Sequence, residues 1–225
     1  MHKLEAAKIK LVMELRRQGV TNSAVLVAME RTPREMFVPP ALRQSAYENT
    51  ALPIGCGQTI SQPYIVGFMT QELRLDKRMI VLEIGTGSGY QAAVLARLAR
   101  RVYTIERQRP LLRAAQACFD ALGLYNITTR VGDGYKGWPE QAPFKRILAT
   151  AAALTPPPAL LEQLAVGGFM LIPIGPTLEA QEIVRITRTA SGYESEALLP
   201  VRFVPMVSGI AIEGPPGAGE SGDAA

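Results

Sequence analysis

Histidine is nearly absent from this 225-residue chain, which has one, His2, at the amino end. A Ser-His-Asp triad needs an imidazole held in the body of a fold, so that chemistry is excluded. Cysteine is almost as scarce. Cys56 and Cys118 lie 62 residues apart and can neither build a disulfide scaffold nor, with a terminal histidine, a zinc site. No stretch reaches the roughly 18 consecutive apolar residues of a membrane span. The region 160–175 comes closest, but Glu162, Gln163, Gly167, Gly168 and Pro173 interrupt it. The first ten residues carry Lys3, Glu5, Lys8 and Lys10 and lack the apolar core of a signal peptide, so the expected location is cytoplasmic. Charge of one sign is also in short supply. The net charge is +4, there is no run of five basic residues, and nucleic-acid binding is permitted but not argued for. The densest basic group, Arg97, Arg100, Arg101, Arg107, Arg109 and Arg113, falls near helix ends and reads as a solvated face.

What is present is an ordinary apolar fraction, 48%, patterned in three textures. Leu4, Ala7, Leu11 and Leu15 share one face of a helix that Gly19 ends, and Thr21 is placed to cap a second helix through about Glu30. Pro33, Pro39 and Pro40 then predict turns and short helix. Residues 47–63 have no period and are rich in Gly, Pro, Ser, Thr and Asn, which predicts a long functional loop that keeps Leu52, Ile54 and Ile60 for packing. A helix is expected over 64–75. From Met79 strands and helices alternate. Strands are predicted at 79–84, 102–105, 127–131, 146–150 and 169–174, with helices at 91–100, 110–122 and 158–164. Near-continuous apolar strands alternating with helices predict a parallel sheet covered on both faces. After Gly175 antiparallel strands are expected at 181–189 and 193–204, with one more possible at 207–212. The expected organisation is one α/β domain over 1–213. It comprises an N-terminal helical addition and loop (1–75), a doubly wound, mostly parallel core (76–175) and antiparallel C-terminal strands (176–213). A disordered tail is expected over 214–225.

The strongest local signal is Val81-Leu82-Glu83-Ile84-Gly85-Thr86-Gly87-Ser88-Gly89-Tyr90, between a strand and a helix. A dinucleotide fingerprint would need its third glycine at position 90, where Tyr90 stands, and a phosphate loop would need Gly-Lys-Ser/Thr. The glycines read G-x-G-x-G instead, a form that resembles motif I of S-adenosylmethionine-dependent methyltransferases. Glu106 ends the next strand, 21 residues after Gly85, where a carboxylate can accept both ribose hydroxyls. Asp133, in Gly132-Asp133-Gly134, follows the third strand and can accept from an adenine amine. The three features sit at successive strand C-termini, where open α/β sheets bind ligands. S-adenosyl-L-methionine is the cofactor they imply. Glu83 reads equally as a buried acid before a tight turn or as support for the methionine end.

The acceptor follows by elimination. No Asn/Asp-Pro-Pro-aromatic segment follows the fourth strand, as base amine methylation commonly has; the chain runs Thr150-Ala151-Ala152-Ala153-Leu154-Thr155-Pro156-Pro157-Pro158. Cys118 falls in a helix as a small core residue and Cys56 precedes Gly57, so neither is a cytosine-attacking thiol. An acceptor needing no strong base remains, and a carboxylate, with a pKa of about 4, is ionised at neutral pH.

Residues from about Arg31 to Gly209 resemble the protein-L-isoaspartate O-methyltransferase family. The matching segments are 33–39 (Pro-Arg-Glu-Met-Phe-Val-Pro), 52–64 (Leu-Pro-Ile-Gly-Cys-Gly-Gln-Thr-Ile-Ser-Gln-Pro-Tyr), 81–93, 103–107, 132–134, 137–139 and 150–153. The Gly-Gln-Thr-Ile-Ser-Gln-Pro loop ahead of motif I carries most of the identification. The resemblance implies a Rossmann-like class I fold and methyl transfer to the free α-carboxylate of L-isoaspartyl residues in damaged proteins. The ester product then cyclises to a succinimide that partly reopens as aspartate. It implies Ser61 as the active-site residue, while Ser61 alone also reads as an N-cap for the following helix. Thr59 and Tyr64 are pocket walls or packing. Trp138 reads as core rather than a ligand stack. The cofactor set is Glu83, Gly85, Thr86, Gly87, Ser88, Gly89, Glu106, Arg107, Gly132, Asp133, Gly134 and Thr150, with no metal. Expected partners are isoaspartyl peptides and proteins, with no nucleic acid, no membrane and a monomeric chain. Rival expectations are a methyltransferase acting on RNA or a small carboxylate, and a non-catalytic reader of damaged protein. The chain departs from the family at Asn49 and Lys145, where Asp is usual, at Ala51, where Pro is usual, and at Cys56, a variable and often histidine position.

Overall fold

Seven strands form the central sheet of the computed structural model, which describes residues 2–212. The tail expected over 214–225 lies outside the described residues. In chain order the elements are α1 (His2–Arg17), α2 (Ser23–Glu30), β1 (Leu52–Pro53), β2 (Thr59–Ile60), α3 (Pro63–Glu72), β3 (Ile80–Ile84), α4 (Tyr90–Ala96), β4 (Arg101–Glu106), α5 (Arg109–Ala121), β5 (Ile127–Val131), β6 (Phe144–Ala149), α6 (Pro158–Glu162), β7 (Leu164–Ile174), β8 (Gln181–Arg188) and β9 (Tyr193–Val201). Short 3-10 turns occupy Arg34–Phe37 and Pro40–Ser45, where the prolines forbid longer helix. The sheet order is β5-β4-β3-β6-β7-β8-β9; the first five strands run parallel, and β8 and β9 are antiparallel additions. β3 therefore pairs with β4 on one side and β6 on the other. The chain reverses its winding there, and a crevice opens beyond the strand C-termini.

The period of two along the strands divides the core. Val81, Val102, Leu148 and Leu171 face one side, where α1 to α5 pack through Leu15, Val66, Leu95 and Phe119. Leu82, Ile84, Ile147 and Met170 face the other, covered by Leu160 of α6 and by Leu164. Each fully buried aliphatic side chain contributes about 1.5–3 kcal/mol. β5 is one of the two edges, and its residues ITTRV are only half-buried, so its sequence is mixed where the central β3 and β6 are mostly apolar.

Several expectations need correction. The cap of α2 is Asn22, whose side chain accepts from the Ala24 and Val25 amides, not Thr21. Thr21 and Asn22 instead donate their backbone N–H groups to Gln71 Oε1 on α3, at 2.8 and 2.9 Å. The 47–63 segment contains a hairpin, β1 against β2, turned by Cys56 and Gly57 with φ of +58° and +64°. Helix α6 stops at Glu162 and β7 begins at Leu164, so the strand starts earlier than 169. Residues 207–212 form no strand. Cys118 is half-buried on α5, its Sγ 3.2 Å from the Met36 carbonyl, rather than in the core. Trp138 packs edge-on against Tyr103 under the second sheet face, as read.

Candidate active site

The glycine loop is held by the strand ends around it. Gly85 has φ +93°, and a Cβ there would sit 2.5 Å from Thr150 Oγ1, so only glycine fits. Thr150 Oγ1 uses that closeness to donate to the Gly85 carbonyl at 2.6 Å, linking the loop to the end of β6. Thr86 Oγ1 meets Thr104 Oγ1 at 2.6 Å, and Thr104 Oγ1 donates to Glu83 Oε2 at 2.5 Å. The Gly87 N–H donates to Glu106 Oε2 (2.8 Å) and the Gln108 N–H to Glu106 Oε1 (2.9 Å). Glu106 is 6% exposed, and its carboxylate keeps further lone pairs directed at the space above the loop. At the end of β5, a Cβ on Gly134 would lie 2.5 Å from Ile84 Cγ2. Glycine there lets this turn close on the β3 end and shape a flat slot.

Above these strand ends lies a cleft with a cavity volume of about 110 Å³ that opens to solvent. It is lined by Thr59 and Ser61, by Gly85, Thr86, Gly87 and Ser88, and by Glu106, Arg107, Gly134 and Thr150. Four other predicted residues stand behind this wall. Gly89 opens α4, Gly132 donates its N–H to the Glu106 carbonyl, and Glu83 is fully buried. Asp133 accepts from the Tyr135 N–H at 2.9 Å, which commits one oxygen to its own turn. Burial pushes the Glu83 carboxyl up to about 8, with the Glu106 charge adding to the rise and the Thr104 hydrogen bond opposing it. Its Oε1 has no hydrogen-bond partner among the described residues. Glu83 is therefore the base of a threonine stack under the loop, with no surface on the cleft. Tyr64 also stands off the cleft; its ring packs near Phe68.

Ser61 is not the N-cap of α3. That position is Gln62, which makes no side-chain cap, so the Ser61 hydroxyl has no structural task among the described residues. The cap comes from a distance: Asn49 Oδ1 accepts from the Tyr64 N–H at 3.0 Å, and Asn49 Nδ2 donates to Glu14 Oε1 and Gln18 Oε1, each at 2.9 Å. An aspartate at 49 would face the Glu14 carboxylate without that donor. Asn49→Asp is expected to cost about 1–2 kcal/mol of stability near neutral pH, read as a lower melting temperature. Adding Glu14→Gln should restore it, and an unshifted single variant would refute the assignment.

The sequence reading expected the final strands as the other wall of the site but named none of the residues that form it. Val204, Pro205, Met206 and Val207 line the cleft opposite the loop. Ala152 N–H donates to the Val204 carbonyl and Met206 N–H to the Ala152 carbonyl, at 2.9 and 2.7 Å. Further along, Arg107 Nε donates to the Gly209 carbonyl (3.1 Å), and the Ala211 N–H donates to the Arg107 carbonyl. Gln58, Gln91 and Gln108 were also missed as cleft residues. Gln58 and Gln91 sat inside the matching segments 52–64 and 81–93, while Gln108 carried no signal.

A 3-2-1-4-5 parallel order with antiparallel strands beyond it, and a glycine loop braced by a strand-end carboxylate at its switch point, define a class I methyltransferase fold. The family model for Protein-L-isoaspartate(D-aspartate) O-methyltransferase (PCMT) matches residues 6–211. A protein-L-isoaspartate O-methyltransferase of Rhodospirillum centenum is 61% identical over 211 residues, 93% of this chain and 96% of that one. One from Rhodospirillum rubrum is 61% identical over 213 residues, 94% and 97% of the two chains. A solved protein-L-isoaspartate O-methyltransferase superposes with a TM-score of 0.81 at 30% identity, over 90% of this chain and 67% of that chain. A Plasmodium falciparum candidate for the same activity, solved in complex with S-adenosyl-L-homocysteine, shares the fold with a TM-score of 0.77 at 23% identity, over 88% and 97% of the two chains. The chain belongs to the protein-L-isoaspartate O-methyltransferase family.

Proposed function

We propose that this chain methylates the free α-carboxylate of L-isoaspartyl residues in damaged proteins, with S-adenosyl-L-methionine as donor. The observation that carries the reading is one cleft holding both Ser61 of the Gly-Gln-Thr-Ile-Ser-Gln segment and the glycine loop with Glu106. Glu106 and the Asp133–Gly134 turn would hold the nucleoside, and the Gly85–Ser88 backbone the amino-acid end. When bound, the cofactor supplies an electrophilic methyl group. The residues present fit it: the Gly85–Ser88 backbone lines the cleft, and Glu106 is a buried acceptor already held by two N–H groups.

The chain's own task is then positional. The acceptor carboxylate arrives ionised, since carboxyl groups titrate near pH 4, so no base is required. Ser61 donates its hydroxyl hydrogen to one carboxylate oxygen and sets the angle of the other. Thr59, on the same short strand as Ile60, stands beside it on the cleft wall. The Val204–Val207 roof and the Ile60 side limit water at the reacting carboxylate, which strengthens the electrostatics inside. The same reading takes 1–213 as one working domain, a monomer in the cytoplasm that acts on protein rather than nucleic acid. Two free thiols and the mild net charge support it, and no helix among the described residues is long and apolar enough to cross a membrane.

Labelled cofactor with a matched isoaspartyl and aspartyl peptide pair tests the activity: only the isoaspartyl peptide should be labelled, and equal labelling or none would sink it. Ser61→Ala should lower kcat about 10–100-fold, the scale of losing one positioned hydrogen bond to a charged group. S-adenosyl-L-homocysteine affinity should stay within about twofold. A large affinity loss would show that Ser61 serves the cofactor instead.

A further inference from the structure

Arg34 is a fully buried cation behind the active-site wall. It enters the protein on the 3-10 turn Arg34–Phe37 and donates through Nε to the Ala46 carbonyl (2.9 Å) and through Nη2 to the carbonyl of Ser61 (2.8 Å). Its Cζ lies 4.8 Å from the centre of the Tyr90 ring. Tyr90 is the first residue of α4, directly after the glycine loop, and it lines the cleft. One side chain thus ties the backbone of Ser61 to the root of the cofactor loop.

Its charge is the unusual part. Among the described residues no carboxylate pairs with it, and Nη1 has no hydrogen-bond partner. The carboxylate next to it in sequence, Glu35, is engaged by the Tyr47 hydroxyl. Burial lowers the Arg34 pKa to about 10, against the pull of the Tyr90 and Tyr47 rings and hydroxyls, so it remains cationic at neutral pH. An unpaired buried cation normally costs several kcal/mol, and two carbonyls and an aromatic face offset only part of this. Ser61 alone separates this charge from the cleft along that contact, since its carbonyl takes the guanidinium and the residue lines the cleft.

We propose that Arg34 is a positioning and specificity residue: it fixes Ser61 from behind and supplies the positive field that favours an anionic acceptor at the cleft. The inference rests on the isoaspartyl-carboxylate reading above. Arg34 adds to the cleft-lining Arg107 a second positive charge, placed directly behind Ser61. The guanidinium stays one residue deep, where it cannot form an ion pair that would hold and pacify the nucleophilic oxygen.

The test uses two peptides differing only in the α-group of the isoaspartyl residue, free carboxylate or carboxamide. Their binding is measured with S-adenosyl-L-homocysteine present. Wild type should prefer the acid. In Arg34→Gln that preference should shrink about tenfold, the scale of one charge acting over several ångströms at intermediate dielectric. Amide binding and S-adenosyl-L-homocysteine affinity should stay within about threefold. Arg34→Lys keeps the charge and loses the two-pronged donation. It should retain the acid preference within about threefold while kcat on the isoaspartyl peptide falls about tenfold. A merely structural role would weaken acid and amide in parallel, and that result overturns the proposal, as does a wild type without acid preference. Should Arg34→Gln not fold, Arg34→Lys decides: an unchanged kcat, or a collapsed preference, overturns it. Failure of wild type to methylate the isoaspartyl peptide is a separate result and refutes the functional reading itself.

Discussion

Glu106→Ala is expected to weaken S-adenosyl-L-homocysteine binding at least about 100-fold, the largest loss from any single cleft side chain. The reason is that one carboxylate does two jobs. It braces the protein, taking the Gly87 and Gln108 N–H groups at 2.8 and 2.9 Å, and it remains an acceptor toward the cleft. Removing it leaves two backbone donors in a buried place without partners, each costing about 1–3 kcal/mol, and deletes the acceptor for the ligand's hydroxyls. Part of the loss falls on the free protein, because the Gly85–Gly89 loop relaxes when its central N–H is released. Glu106→Gln should recover little, since an amide offers one acceptor oxygen and turns an NH2 toward a second N–H donor. Glu106→Asp keeps both oxygens on a shorter stem and should bind better than either. Titration calorimetry on the three variants checks the order, and a loss under about threefold in Glu106→Ala would show that the loop holds without its brace.

The loop and the place of Glu106 were legible because they follow from local rules, while the bracing of one by the other was not. A G-x-G-x-G turn after an apolar strand needs positive φ, and Gly85, Gly87 and Gly89 have +93°, +53° and +90°. The strand-end acids follow from the same parallel topology, so the loop and Glu106 could be placed from the sequence. What was misread came from partners distant in sequence. Ser61 looked like a helix cap because caps are usually supplied by the preceding residue. Here Pro63 opens α3 with no N–H to satisfy, and the Tyr64 N–H is taken by Asn49, 15 residues upstream. The same physics moved the α2 cap: Gln71 of α3 took the Thr21 N–H, and Asn22 became the cap. The final strands were expected as the other wall of the site, but the strand expected over 207–212 was misread for a related reason. Residues 207–212 alternate like a strand, yet β9 is not their neighbour; the backbone around them is satisfied by Ala152 and Arg107. Arg34 could be seen in the sequence only as part of a family segment, since nothing local announces that a guanidinium will be buried against a carbonyl 27 residues away.

Glu83→Gln is expected to stabilise the protein at alkaline pH and to flatten its stability profile. Glu83 is completely buried, and burial raises its carboxyl from 4.5 to about 8. The folded state therefore binds a proton that the unfolded chain releases at lower pH. Between these values the folded protein holds more protons, so stability falls as pH rises. The contribution is full below about 4.5, is lost progressively through about 8 and does not change further above that, amounting to a few kcal/mol in all. Glutamine is a neutral isostere, so the variant should melt higher than wild type at pH 8.5 and closely with it at pH 5. The proton also sets the direction of the stack above. With Glu83 ionised, Thr104 must donate to it, so Thr86 must donate to Thr104. With Glu83 protonated, its carboxyl O–H can donate to Thr104 Oγ1, and the pair of threonines is free to reverse. Glutamine keeps an acceptor for Thr104 and places an NH2 where Oε1 now stands without a partner. The cofactor loop should accordingly survive the substitution, with S-adenosyl-L-homocysteine affinity within about threefold of wild type. Melting curves from pH 5 to pH 8.5 decide the matter: a Glu83→Gln profile parallel to wild type would mean that Glu83 carries its charge throughout and that its burial is compensated by groups other than a proton.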